Sequence, residues 1–187
     1  SALPKADLIL LTHHHGDHLD LEALKFIKTD KTMVIITQKC TEKLTGCTVM
    51  ANGDSKTAAG LSIEAVPAYN ILHKRGSGEP FHLKGEGNGY IITFGDKRVY
   101  VAGDTENIPE MKNLINIYAA FLPMNLPYTM TPEMVADAAK IFKPTILYPY
   151  HYMGTEPKSL VDLLKNEKNI EVRIKNIYPP MPPPARK

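Results

Sequence analysis

An apolar run, Ala6 to Thr12, stops abruptly at His13-His14-His15-Gly16-Asp17-His18. A run of that length suits a buried strand, which would leave the histidine cluster on the loop at its C-terminal end. The same arrangement recurs down the chain. Asp20 can cap a helix through about Ile27, and Met33 to Thr37 is the next branched, strand-like run. Leu61 to Val66 alternates and stops at Pro67. A polar, glycine-bearing stretch from about Asn70 to Asn88 precedes Tyr90 to Phe94, which pairs with Arg98 to Ala102 across a Gly95-Asp96-Lys97 turn. Pro109 to Ile115 reads as a short helix and Ala119 to Pro123 as a strand. Thr131-Pro132-Glu133 opens a helix to about Phe142, with threonine as N-cap and proline at the first position. Thr145 to Tyr148 is a strand ending near His151, Pro157 to Asn166 a helix, and Ile170 to Ile174 extended. Strands alternate with helices, and the polar clusters fall at strand ends, where α/β architectures place their ligands.

His13, His15, Asp17 and His18 form an HxHxDH pattern. In an extended loop, His13 and His15 project to one side, while Asp17 and His18, beyond Gly16, can turn to offer a second set of donors. Imidazole and carboxylate donors suit Zn, Mn or Fe, and the lack of thiolate ligands argues against a structural zinc knot. Further ligands must come from His73, His82 and His151, the remaining histidines apart from His14. His151 follows a strand, as the first cluster does. Asp104, in Gly103-Asp104-Thr105, ends the second hairpin strand, where a carboxylate can bridge two cations.

Taken in order, HxHxDH, Gly103-Asp104-Thr105 and the strand-end His151 resemble the metallo-beta-lactamase superfamily. That resemblance implies an α/β fold, the four-layer αββα sandwich, with some of its N-terminal strands lacking because twelve residues precede the histidine loop. More narrowly, Ala68-Tyr69-Asn70, the segment from His82 to Tyr90, and Tyr128-Thr129-Met130-Thr131-Pro132-Glu133 are similar to metal-dependent hydrolases related to L-ascorbate-6-phosphate lactonase. The resemblance assigns His13 and His15 to one metal, Asp17, His18 and His151 to the other, and Asp104 as the bridge. Related families place the third histidine of the first metal where this chain has Tyr69-Asn70. His82 is favoured over His73 for that role, with the Asn70 oxygen as an alternative.

The implied cofactor is one or two divalent metal ions, zinc first and manganese or iron after it. Such ions lower the pKa of a bound water from about 15.7 toward 7, giving a hydroxide that needs no serine or cysteine nucleophile. Asp17 is the expected catalytic residue, with Asn70 and Tyr128 as substrate contacts and His14 as a lesser one. The substrate expected from the lactonase branch is a small anionic ester, lactone or phosphodiester, which Lys74, Arg75 and Lys84 of the long loop could meet. A phosphodiesterase or nuclease of the same superfamily, and a non-catalytic metal-binding or interaction module, are the competing readings.

Composition narrows the field. With 187 residues, 43% of them hydrophobic, the chain can bury the core of one domain, 1–187, trailed by a proline-rich extended tail over 178–187. A net charge of +2 from scattered lysines and arginines gives no basic stripe for nucleic acid, so none is expected. The apolar runs are far shorter than the roughly 20 residues that span a bilayer, so no membrane partner is expected. Cys40 and Cys47 form no CxxC pair, which fits reduced thiols and a cytoplasmic location. An open sheet edge would favour a homo-oligomer.

Overall fold

The computed structural model describes residues 3–175, so the expected proline-rich tail lies outside the described residues. Two sheets form the centre. Strands β1 (Leu8–Leu10), β2 (Met33–Ile36) and β3 (Thr48–Val49) make a small parallel sheet in the order β1-β2-β3. The large sheet contains β4 (Ser55–Ala58), β5 (Leu61–Ala68), β6 (Gly87–Phe94), β7 (Lys97–Val101), β8 (Ile117–Pro123), β9 (Ile146–Tyr150) and β10 (Glu171–Val172). Its order is β10-β9-β8-β7-β6-β5-β4, antiparallel from β4 to β7 and parallel from β7 to β10.

The period-two alternation of strand side chains sorts the apolar residues into three cores. Ile9, Val34 and Ile36 face α1 (Leu21–Ile27) and a short 3-10 helix, Gln38–Glu42. Their strand neighbours Leu8, Leu10 and Ile35 face the other way and meet Ile63, Ala65, Tyr90 and Ile92 between the sheets. On the far side of the large sheet, Ile91, Tyr100, Ala120, Leu122 and Leu147 pack under α2 (Pro132–Phe142) and α3 (Lys158–Leu164). The layers are therefore helix, sheet, sheet, helix, as the family resemblance implies. Replacing Phe142 or Leu160 in the α2/α3 layer with alanine would cost about 2–5 kcal/mol through lost burial and the cavity left behind.

Helices α1 and α2 start at side-chain caps. Asp20 accepts hydrogen bonds from the backbone N–H groups of Glu22 and Ala23, and Thr131 Oγ1 accepts one from Met134, with Pro132 in the first turn.

Three details differ from the sequence reading. Strand β5 does not stop at Pro67 but runs on to Ala68, paired with Gly87. Ala65 N donates to Asp54 O on the β4 side, so the nitrogen of Pro67, two residues on, faces the same way. There β4, which pairs only with residues 61–64, has ended, and the missing N–H costs no ladder bond. Pro109–Asn113 forms a short 3-10 helix rather than a longer α-helix. Strands β3 and β4 carry no strong signal, one being two residues long and the other the polar edge Ser55-Lys56-Thr57.

Candidate metal centre

Four chain segments converge at one end of the two sheets. The loop after β1 is fixed from both sides. Leu11 N donates to Ile35 O of β2, Asn88 N of β6 donates to Thr12 O at 2.8 Å, and Tyr90 Oη donates to Leu11 O at 2.9 Å. A turn then reverses the chain, with His18 N and Leu19 N both donating to His15 O. Asp104 arrives after β7 through Gly103, whose φ of +68° and close neighbours leave no room for a side chain. A Cβ there would lie 2.9 Å from Asn88 O and 3.0 Å from Thr12 Cβ. His151, just past β9, adopts a φ of +47°, a backbone state that non-glycine residues avoid and that recurs at functional sites.

These segments bring seven donors together. His13, His15 and His82 form one trio and Asp17, His18 and His151 another, the donor atoms of each lying within 4.8 Å of one another. Asp104 stands between them. Its Oδ2 is 3.3 Å from His82 Nε2 and 3.9 Å from both His13 Nε2 and His151 Nε2, while Oδ1 is 3.4 Å from His18 Nε2. Asp17 Oδ2 lies 3.4 Å from His151 Nε2 and 3.6 Å from His18 Nε2.

The donor set fits divalent cations. His13 Nε2, His18 Nε2, His82 Nε2 and Asp104 Oδ1 are buried, close to one another, and without hydrogen-bond geometry to any partner. A buried polar atom left in that state costs about 1–3 kcal/mol, and a cation that accepts lone pairs would satisfy these atoms together. The opposite ring nitrogens are occupied. Thr12 Oγ1 lies 3.1 Å from His13 Nδ1 and 3.3 Å from His18 Nδ1, so one hydroxyl serves a ring of each trio. Asn70 Oδ1 is 2.6 Å from His82 Nδ1, and the Asn125 amide 3.3 Å from His151 Nδ1. Such contacts fix the tautomer and aim of metal-binding rings.

The electrostatics agree. Burial and the neighbouring His18 push the pKa of His13 down to about 2. Burial, with His82 and His14 nearby, brings that of His15 down to about 4. Both rings therefore hold the neutral, ligand-competent form at neutral pH. Burial pushes the Asp104 carboxyl up, but the neighbouring His18 imidazole outweighs it and holds the group well below the usual carboxylate range. For His18, burial works against the charged form, and the Asp104 and Asp17 carboxylates overcome it and raise the pKa.

The sequence-derived residues separate clearly. His13, His15, Asp17, His18, His82, Asp104 and His151 are brought together. His73 is not, since its Nδ1 sits 2.8 Å from Glu106 Oε1. Asn70 is buried and holds His82 rather than facing the opening, whereas Tyr128 is half-exposed and lines a cleft of about 510 Å³. A second cleft of about 190 Å³, which His14 lines, shares His15, Arg75, Phe81, His82 and Asp104 with the first. Thr12, Glu106 and Asn125 were missed. The signal available for Thr12 and Glu106 was their place within two residues of His13 and Asp104.

The sequence profile of the beta-lactamase superfamily domain matches residues 1–152. The chain belongs to the metallo-beta-lactamase superfamily. Among curated members of this superfamily, a UPF0173 metal-dependent hydrolase of Thermococcus onnurineus is 32% identical over 162 residues, 82% of this chain and 70% of that protein. The crystal structure of a candidate metal-dependent hydrolase from Parabacteroides distasonis is 48% identical, with a TM-score of 0.89 over 95% of this chain and 79% of its own. Igni18, a metallo hydrolase of the archaeon Ignicoccus hospitalis, is 26% identical with a TM-score of 0.73, covering 91% and 76% of the two chains. Among the described residues of this superfamily member, no helix is long and apolar enough to cross a membrane.

Proposed function

We propose that this metal-dependent hydrolase cleaves a small anionic ester, lactone or phosphodiester with water as the nucleophile. The observation that carries the reading is Asp104 lying between two donor trios, with buried imidazole nitrogens around it that have no other partner. His13, His15 and His82 would hold one cation, Asp17, His18 and His151 the second, and Asp104 both. Zinc suits these donors first, with manganese and iron as alternatives. When bound, divalent cations supply Lewis acidity toward the substrate oxygen and acidify water toward neutral pH.

The remaining work falls to the side chains. Asp17, whose side chain is 64% exposed at the cleft, keeps an oxygen free to accept a hydrogen bond from the attacking water and orient it. Arg75 lines both clefts and spends one N–H group on Phe81 O at 3.1 Å, which leaves guanidinium donors for a substrate carboxylate or phosphate. Phe81 and Tyr128, edge to face at 5.0 Å, form an apolar wall beside it. The hydrolase reading is favoured over a non-catalytic module by His82 standing beside His13 and His15, where a third imidazole is needed.

The test is turnover of small phosphodiester and lactone probes by metal-loaded protein. Asp17→Ala should lower kcat by about 100-fold or more, and Arg75→Ala should raise KM for anionic probes more than for neutral ones. Turnover that survives both a chelator and Asp17→Ala would refute the proposal.

A further inference from the structure

His82 reaches the metal centre from an irregular loop. Between β5 and β6 the chain forms no strand or helix, only an isolated bridge from Lys74 to Pro80, and Ile71 and Leu72 are exposed. A ring carried on such a segment needs an anchor, and Asn70 provides one. Its backbone N–H donates to His82 O at 3.0 Å, and its Oδ1 accepts from His82 N at 3.0 Å while lying 2.6 Å from Nδ1. Its Nδ2 donates to Glu106 Oε1 at 3.1 Å and to Tyr128 O at 3.0 Å.

This saturation determines the chemistry of the ring. The group of Asn70 that meets the His82 backbone N–H must be the oxygen, because two donors cannot pair. The same oxygen meets Nδ1, so in the neutral ring Nδ1 carries the proton. Nε2 is then left as a bare lone pair, 3.3 Å from Asp104 Oδ2 and beside the donors of His13 and His15. Behind Asn70 stands Glu106, 1% exposed, two residues after Asp104. It accepts from the backbone N–H groups of Ile71, Leu72 and His73 at 2.7–2.8 Å as well as from Asn70.

We infer that Asn70 and Glu106 are positioning residues that make a loop histidine, His82, the third imidazole of the His13/His15 site. Glu106 gathers the root of the loop, Asn70 sets the tautomer and aim of the ring, and neither touches the cation. The inference rests on the reading of the cluster as a metal centre, and two measurements keep them separable.

The first needs no metal. In metal-free protein labelled with 15N-histidine, His82 should be protonated at Nδ1 in its neutral form, and Asn70→Ala should abolish that preference. His82 protonated at Nε2 in the parent would overturn the inference whatever the variants do. The second is a double-mutant cycle read by Zn2+ titration. Asn70→Ala should weaken one of two sites by about 10–100-fold, and Glu106→Gln, which is nearly isosteric, should weaken the same site by less. Added to His82→Ala, Asn70→Ala should have no further effect, since no ring remains to be positioned. Equal losses in both backgrounds would make Asn70 a general structural residue and overturn the inference. A parent that binds no Zn2+ but shows the Nδ1 tautomer would overturn the metal-centre reading while leaving the anchoring of His82 intact.

Discussion

The two donor trios share Asp104 but differ in how they are built. The His13/His15/His82 half is largely closed, with His13 3% and His82 7% exposed, and its last ring comes from a loop held by Asn70. The Asp17/His18/His151 half is open, with Asp17 at the cleft and His151 at a strand end in a strained backbone state, facing Asn125. The difference points to a division of labour. We propose that the closed, neutral-imidazole half would retain a cation, while the open half, with the exposed Asp17 carboxylate, would meet water and substrate.

The largest effect should come from the residue the halves share. Asp104→Ala removes the bridge and leaves the facing imidazoles without their carboxylate, so metal content after gel filtration should fall from near two per chain toward none. Retention of both ions would break the comparison. Next come the unshared ligands. His82→Ala and His151→Ala should each remove one ion, but only the first should empty the closed half, and a cobalt spectrum of the remaining site should differ between them. Identical spectra would mean that the halves are not distinct.

Acid should act more moderately, and in a definite direction. His13 and His15 have folded pKa values below the 6.5 of an unfolded histidine, so below that pH the unfolded chain binds more protons than the folded one. Their contribution is present above pH 6.5 and lost as pH falls, for His15 by about pH 4. Asp104, also depressed, acts in the same direction below the ordinary Asp range. His18, with a raised pKa, opposes them, being stabilising at low pH and losing that contribution as pH rises through its folded value. The thermal midpoint of the metal-free protein should therefore drop between pH 6.5 and 4, less steeply in His15→Ala. A midpoint that rises on acidification would contradict the assignment.

Thr12→Val should give the smallest change. Removing the hydroxyl shared by His13 and His18 should weaken both halves together, by about 10-fold in metal affinity. A loss confined to one half would sharpen the comparison by assigning the hydroxyl to a single ring.

The open and closed halves were not equally legible in the sequence. Asp17 and His18 are contiguous, and His151 stands at the end of an apolar run, so local pattern places the open half. In the closed half, His82 and His73 lie in one irregular loop where periodicity gives no information. What separates them is long-range: Glu106 captures His73, and Asn70 captures His82. An asparagine at a strand end reads the same whether it faces a ligand or grips a neighbouring ring, and for that reason Asn70 looked like a substrate contact. The individual strands and helices were legible because strand alternation and helix caps are local signals, whereas the four-layer arrangement came from the family resemblance. The passage of β5 through Pro67 was not legible, since it depends on where the neighbouring strand β4 ends.

The most direct test of the central claim is anomalous diffraction from crystals of the Zn2+-loaded protein. Two peaks should flank Asp104, one among His13, His15 and His82 and the other among Asp17, His18 and His151. A single peak, or none within reach of Asp104, would contradict the account of two unequal halves around one bridging carboxylate.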